Sequence, residues 1–366
     1  MSINIETLSI PSSIKNKLYE LSTNISFDKQ IQKGSNGYLF FGINKITKKR
    51  VAIKFYIWSG DPIYHAEPKN LSTLNSKNVI PILDVAIVDS RYAYFMTPFF
   101  NNGDLDDILN RGTISNLRAI NFIRDILSGL SHLHAIRLLH RDLKPQNIFV
   151  SDSDHAVIGD FGSVKYLPEG KEFIPGSDHS LIYRPPESVT SNSYSFAGDI
   201  YQVGIVLFQL LGGSLPYEET AWLNSQQLNK YLKFSDDIDK QVYASTIIKN
   251  RIVRGRIIDI NSLPPWVCVE LKKTVLKACN LQPHIRYKSC SGFLARISSI
   301  RANILDWRIE DGNPTLYSKT NYRIVTNLET KRLNVQKSRT GDWKNDNSFS
   351  GSSIQNLVDQ IEKRIN

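Results

Sequence analysis

Apolar and polar residues change period along the chain, and the changes divide it into regions. Behind Pro11, Ser12 and Ser13, the apolar residues Ile14, Leu18 and Leu21 recur at helical spacing, so residues 1–26 predict an N-terminal packing helix. From Phe27 the period drops to two. The runs FDKQIQK, YLFFGIN and RVAIKFY, separated by turns at 34–37 and 45–49, predict an antiparallel meander. A short helix over 64–74 and two further strands, 82–88 and 92–96 joined through Asp89-Ser90-Arg91, complete a five-stranded sheet.

After Asn101-Asn102-Gly103 the helical period takes over. Ile120, Ile123, Ile126, Leu127, Leu130 and Leu133 make a broad apolar face, as a buried helix requires. The run GDIYQVGIVLFQLL at 198–211 is nearly all apolar yet too short to span a bilayer, which predicts a core helix. Residues 218–262 read as polar and irregular, with further helices over 264–278 and 289–300. From Trp307 the composition shifts to TLYSKTNYRIVTN and KRLNVQKSRT, strand-like runs about a turn at 327–330. A Gly/Ser/Asn patch follows, then Ile354, Leu357, Val358, Ile361 and Ile365 at helical spacing. The expectation is an α+β protein: an N-terminal extension (1–26), a main domain (27–302, dividing near residue 100) and a small strand-strand-helix appendage (303–366).

Composition narrows the class. Of 366 residues, 41% are apolar and 22% charged, which is ordinary for a folded globular chain. The formal charge of +10 is spread without a Lys/Arg block, so neither a nucleic-acid arm nor a polybasic membrane segment is indicated. Cys268, Cys279 and Cys290 lack metal-ligand spacing and read as reduced structural thiols. No stretch has the length of a signal peptide core or of a membrane span. The expected compartment is the cytoplasm.

The chemistry centres on LHRDLKPQNIFV, residues 139–150, a polar loop entering a short apolar strand. Asp142 can accept a proton, Lys144 can neutralise a phosphate, and Asn147 offers an amide oxygen to a hard cation. HRDLKPQN resembles, residue for residue, the catalytic loop of the eukaryotic-type protein kinase superfamily, and the lysine after the aspartate marks its serine/threonine branch. The resemblance implies a two-lobed fold, a five-stranded antiparallel sheet over a mainly helical lobe, binding ATP with Mg2+ or Mn2+ and acting on protein hydroxyls. It also implies roles. Asp142 would orient the acceptor hydroxyl and take its proton, Lys144 would steady the γ-phosphate, and Asn147 with Asp160 of Asp160-Phe161-Gly162 would hold the metal.

Other motifs follow in the order the family requires. Gly34 and Gly37 resemble the glycine-rich loop over the phosphates, with Gln32 where its first glycine usually stands. Lys54 of VAIK resembles the lysine on the α and β phosphates, and Glu67, directly before Pro68, is its expected partner. Leu39 and Ala52 would roof the adenine and Phe149 would floor it. Thr97 resembles the residue before the hinge, Pro98 and Phe100 would read the base through their backbones, and Asp104 would lie near the ribose. The activation segment would run from Asp160 to Glu187 of YRPPE, with Glu187 paired to Arg286 and Asp199 bracing the catalytic loop. Arg141 and Lys165 would form a basic pocket for a phosphate on Ser177, while Ser180 would face Asp142. An active kinase and a pseudokinase scaffold acting through its appendage both remain open, and the complete Lys54, Asp142, Asn147 and Asp160 set favours turnover.

Overall fold

The computed structural model describes residues 3–32, 37–58, 60, 66–72, 74–176, 180–327 and 330–365, with backbone alone at 31, 32, 66, 67 and 70. Gly34 and Ser177 lie outside these residues, as does the side chain of Glu67.

The period-two region forms the predicted sheet: β1 (Ile25–Gln32), β2 (Gly37–Asn44), β3 (Arg50–Ile57), β4 (Asp84–Ile87) and β5 (Tyr92–Pro98), antiparallel in the order β1-β2-β3-β5-β4. Alternation gives it two unlike faces. Phe27, Phe40, Ile53 and Phe55 join a core with Ile14 and Leu18 of helix α1 (Ser12–Ser22), both fully buried. On the opposite face β3 pairs Ala52 with Phe41 and Lys54 with Leu39, and these residues look into a cleft. Helix α2 (Ala66–Ser72) follows β3.

The second lobe is helical: α3 (Leu105–Asn110), α4 (Asn116–Ala135), α5 (Pro186–Thr190), α6 (Phe196–Leu210), α7 (Ser225–Tyr231), α8 (Asp237–Val253), α9 (Val269–Ala278) and α10 (Cys290–Arg301). Every residue of α6 from Gly198 to Leu210 is buried, so it is the post about which the lobe packs. The two-lobed α+β architecture is as the sequence motifs imply. Paired two- and three-residue strands carry the loops: β6 (Leu138–Leu139) with β9 (Lys165–Tyr166), β7 (Ile148–Val150) with β8 (Ala156–Ile158), and β10 (Ile174–Pro175) with β11 (Ser193–Tyr194).

Two expectations are corrected. Residues 218–262 contain α7 and α8. Asn224 closes a capping box with Gln227, Asp236 caps α8, and only Ala244, Ile248 and Ile252 of α8 are buried, a stripe too narrow to stand out among polar residues. The appendage has five strands: β12 (Asp306–Glu310), β13 (Asn313–Tyr317), β14 (Asn321–Thr326), β15 (Leu333–Ser338) and β16 (Lys344–Asn345), antiparallel in sequence order, followed by α11 (Ile354–Ile365). The run TLYSKTNYRIVTN breaks at 318–320, where a turn without Gly or Pro is fixed by Ser318 N donating to Asn321 Oδ1 at 3.1 Å. Trp307, fully buried, ties this sheet to the large lobe. Its ring lies 6.3 Å from that of Trp266, and it shares one continuous core with α4, α6, α9 and α10.

Candidate active site

Positioning begins in the backbone. Asp199, buried on α6, accepts hydrogen bonds from the amides of His140 and Arg141 at 2.9 Å each, from the Tyr194 hydroxyl at 2.9 Å, and at 2.8 Å from His134 Nε2. With that nitrogen donating, His134 Nδ1 accepts from the Cys290 thiol at 3.3 Å. Burial alone would raise the Asp199 carboxyl. The His134 ring and the Arg141 amide outweigh it, holding the group below the usual aspartate range. One turn along α6, Gln202 accepts from Leu143 N at 2.9 Å and donates to Arg141 O. The loop between β6 and β7 is thereby held while Arg141 sits at φ 71°, a left-handed conformation costly for a side chain.

Asp142, Lys144 and Asn147 converge on that loop. Lys144 Nζ donates to Asp142 Oδ2 at 2.9 Å and to Ser180 Oγ at 2.6 Å, so one lysine joins the two side chains. Asn147 Nδ2 donates to Asp142 O at 2.7 Å and Oδ2 at 3.0 Å, leaving its amide oxygen uncommitted to Asp142. Asp142 Oδ1 is buried without a hydrogen-bond partner among the described residues. An orphaned acceptor costs free energy unless a donor arrives, which an incoming hydroxyl would supply.

Gly159 N donates to Asn147 O at 2.9 Å, and His140 Nε2 lies 3.1 Å from Gly159 O, which straps the residue before Asp160 to the same loop. Asp160, at φ 55°, turns its carboxylate toward β3, where Lys54 Nζ lies 3.8 Å away. Lys54 and Asp160 line one cavity of 560 Å3 with Gly37, Leu39, Ala52, Thr97, Pro98, Phe100, Asp104 and Phe149. Phe100 and Phe149 stack at 5.3 Å and 8°, forming an aromatic wall. Asp104 also caps α3, where burial raises its carboxyl despite the Asp107 amide. Gly37 has a backbone reason of its own: at φ 150° a Cβ would collide with the Phe55 carbonyl oxygen.

This arrangement fits a magnesium nucleotide. Magnesium is commonly held by one or two carboxylates plus phosphate oxygens and water. Among the described residues no cluster of three or more His, Cys, Asp or Glu is gathered for a metal, whereas Lys54 and Asp160, 3.8 Å apart, line a largely apolar slot, and Asn147 is strapped through Gly159 to the residue before Asp160.

Farther out, Arg286 meets Glu187 in a two-pronged ion pair, 2.7 Å on each arm, with the guanidinium wholly buried. The Arg141 guanidinium donates to the carbonyls of Ser163, Pro175 and Gly176, at 3.2, 3.1 and 2.5 Å, while Lys165 is exposed on β9. Sequence reasoning missed Gln202, Tyr194, His134, and the cavity residue Phe41. Signals for two of them existed: Gln202 follows Asp199 by three in an apolar helix, and Phe41 follows Leu39 by two in a strand.

The chain resembles "Serine/threonine-protein kinase GIN4" of Saccharomyces cerevisiae (37% identity over 41% of this chain and 13% of that protein). It resembles "Probable serine/threonine-protein kinase MARK-C" of Dictyostelium discoideum at 27% identity over 72% of this chain and 36% of that protein. "Probable serine/threonine-protein kinase PknB" of Lactococcus lactis is 33% identical over 52% of this chain and 32% of that protein. The chain thus covers about a third or less of the length of these curated relatives. Residues 25–290 match the protein kinase domain, and by that match the chain belongs to the protein kinase domain family.

Proposed function

We propose that the protein is an ATP-dependent serine/threonine protein kinase. The observation that carries this reading is the Ser180–Lys144–Asp142 chain with an unpartnered Asp142 Oδ1, set beside a cavity whose inner end holds Lys54 and Asp160. Phosphoryl transfer asks chiefly for positioning and charge neutralisation. A bound divalent metal would supply charge neutralisation. Lys54 would pair with the α and β phosphates, Asn147 and Asp160 would hold the metal, and Glu67 would steady Lys54. Asp142 Oδ1 accepts the proton of the substrate hydroxyl, and Lys144, already within reach of a serine oxygen, moves to the transferred phosphate. The hinge carbonyl of Pro98 and amide of Phe100 read the adenine.

The test is incubation with labelled ATP, magnesium and a generic basic protein. The wild-type chain should label the protein, and Asp142→Ala should lose at least about a hundredfold of the rate, the scale of one general base. Equal labelling by both forms overturns the assignment. No labelling by either favours the alternative of a nucleotide-binding scaffold acting through the appendage.

We also propose regulation through the activation segment. The Arg141 guanidinium holds the Pro175 and Gly176 carbonyls directly before Ser177, so a phosphate there, facing Arg141 and Lys165, would redirect those bonds. Loss of activity in Ser177→Ala, with a phosphate mapped to the wild-type segment, is the expected result; full activity with no phosphate detected ends the idea.

A further inference from the structure

A second concavity lies in the large lobe, between α9, the loop 283–288 and α10. Its 730 Å3 exceeds the 560 Å3 of the nucleotide cavity. Its walls carry Lys273 and Lys277 from α9, Lys288 from the loop beside His284, and Arg296 from α10, above a floor of buried Arg286 and Tyr287. No carboxylate lines it among the described residues.

The charges do not cancel locally. Glu270, one turn before Lys273 and Thr274, takes up Arg296 and, at 3.4 Å, Lys273, while the buried Arg286 is committed to Glu187. Among the described residues, Lys277 and Lys288 have no carboxylate partner. Lys277 Nζ instead lies 4.8 Å from the centre of the Tyr287 ring. Lys273 and Lys277 are spaced i, i+4 on one helix, a like-charge arrangement that is unfavourable without an anion between them. A concave wall of one sign focuses field and concentrates counter-charges.

From this geometry we infer a docking site for an anionic peptide segment, carboxylate-rich or phosphorylated, carried by protein substrates. The shape selects the class. An open, shallow concavity over Arg286 and Tyr287 admits a short extended segment or a phosphorylated side chain, whereas a membrane surface needs apolar residues to insert. The inference deepens the kinase reading by naming a substrate class. Because the floor is Arg286, the docked segment would sit behind the ion pair that ends the activation segment at Glu187.

The experiment uses the full chain in two arms. In the first, fluorescence anisotropy follows a labelled peptide of alternating Glu and Gly, a copy carrying two phosphoserines, a single-stranded oligonucleotide and anionic vesicles, each against wild type and Lys277→Glu/Lys288→Glu. Both side chains are exposed, so the fold should survive, which circular dichroism checks. The expected result is peptide binding that falls with salt and weakens at least tenfold in the double variant. Tighter binding by the phosphorylated copy assigns phosphate; equal binding assigns simple acidity. Peptide binding unchanged by the reversal, or oligonucleotide or vesicle binding stronger than either peptide and lost in the variant, overturns the proposal. In the second arm, a substrate bearing the acidic segment should show a raised KM in the variant, with the KM for ATP and the rate on a short basic peptide unchanged. The first arm is read without turnover, so it stands even if the wild type transfers no phosphate.

Discussion

At the scale of single residues, Asp199 decides the most. Its two oxygens gather donors from α4, the catalytic loop and Tyr194, so removing them leaves several buried groups without partners. Asp199→Ala should lower unfolding free energy by about 3 kcal/mol or more, at about 1–3 kcal/mol per orphaned group, as measured by urea denaturation. The pH dependence has a definite sign. The folded carboxyl is held below its unfolded value, near 3.9, so its contribution is complete above that value and disappears as pH falls through it toward the lower folded one. The stability gap between wild type and Asp199→Asn should therefore shrink below about pH 4. A gap that stays constant from neutral pH to pH 3 would contradict the assignment. Asp199 itself was legible from the motif around it; its helpers were not. His134 and Cys290 lie 65 and 91 residues from Asp199 along the chain in opposite directions, and only the packing of α4 and α10 against α6 brings them together.

At the scale of elements, legibility followed the width of the apolar stripe. The sheet, α4 and α6 announce themselves because whole faces or whole surfaces are buried. The stretch holding α8 buries three positions in seventeen and reads as polar. The appendage shows a different failure. Asp311 and Gly312 both take positive φ, 49° and 76°, the pattern of a tight hairpin turn, and Asp-Gly is a strong sequence signal for it that passed unread. Close approach accounts for one glycine in α4. A Cβ on Gly129 would strike the Asn78 carbonyl, which accepts from Ile158 N at 2.9 Å. The test that belongs at this scale concerns Trp307, whose indole N–H donates to Glu362 of α11 at 2.8 Å while its ring faces Trp266. Trp307→Ala should cost about 3–5 kcal/mol, the range for a buried tryptophan, and lower the melting temperature of the whole large lobe. Loss confined to the appendage, with the large lobe melting as before, would show that the two are not one packed unit.

At the scale of the whole molecule, the apolar interiors are unevenly shared. One core holds α1 and one face of the five-stranded sheet. A second and larger core holds the helical lobe and the appendage with Leu71 of α2, Val79 and Ile80, and it meets the small cluster of Tyr56, Ala93 and Phe95 on the sheet's opposite face only through Ile82 among the described residues. Backbone bonds from Ile80 N to Ile158 O and from Ile158 N to Asn78 O fasten the same stretch to β8. Rigid bodies move where their interiors are separate. If the cleft opens, the sheet with α1 should therefore swing as one solid piece, while α2 and residues 78–80, although they lie between strands in the chain, travel with the helices. The gap that widens would run between Lys54 on β3 and Asp160 beside β8, making their 3.8 Å approach a gauge of closure.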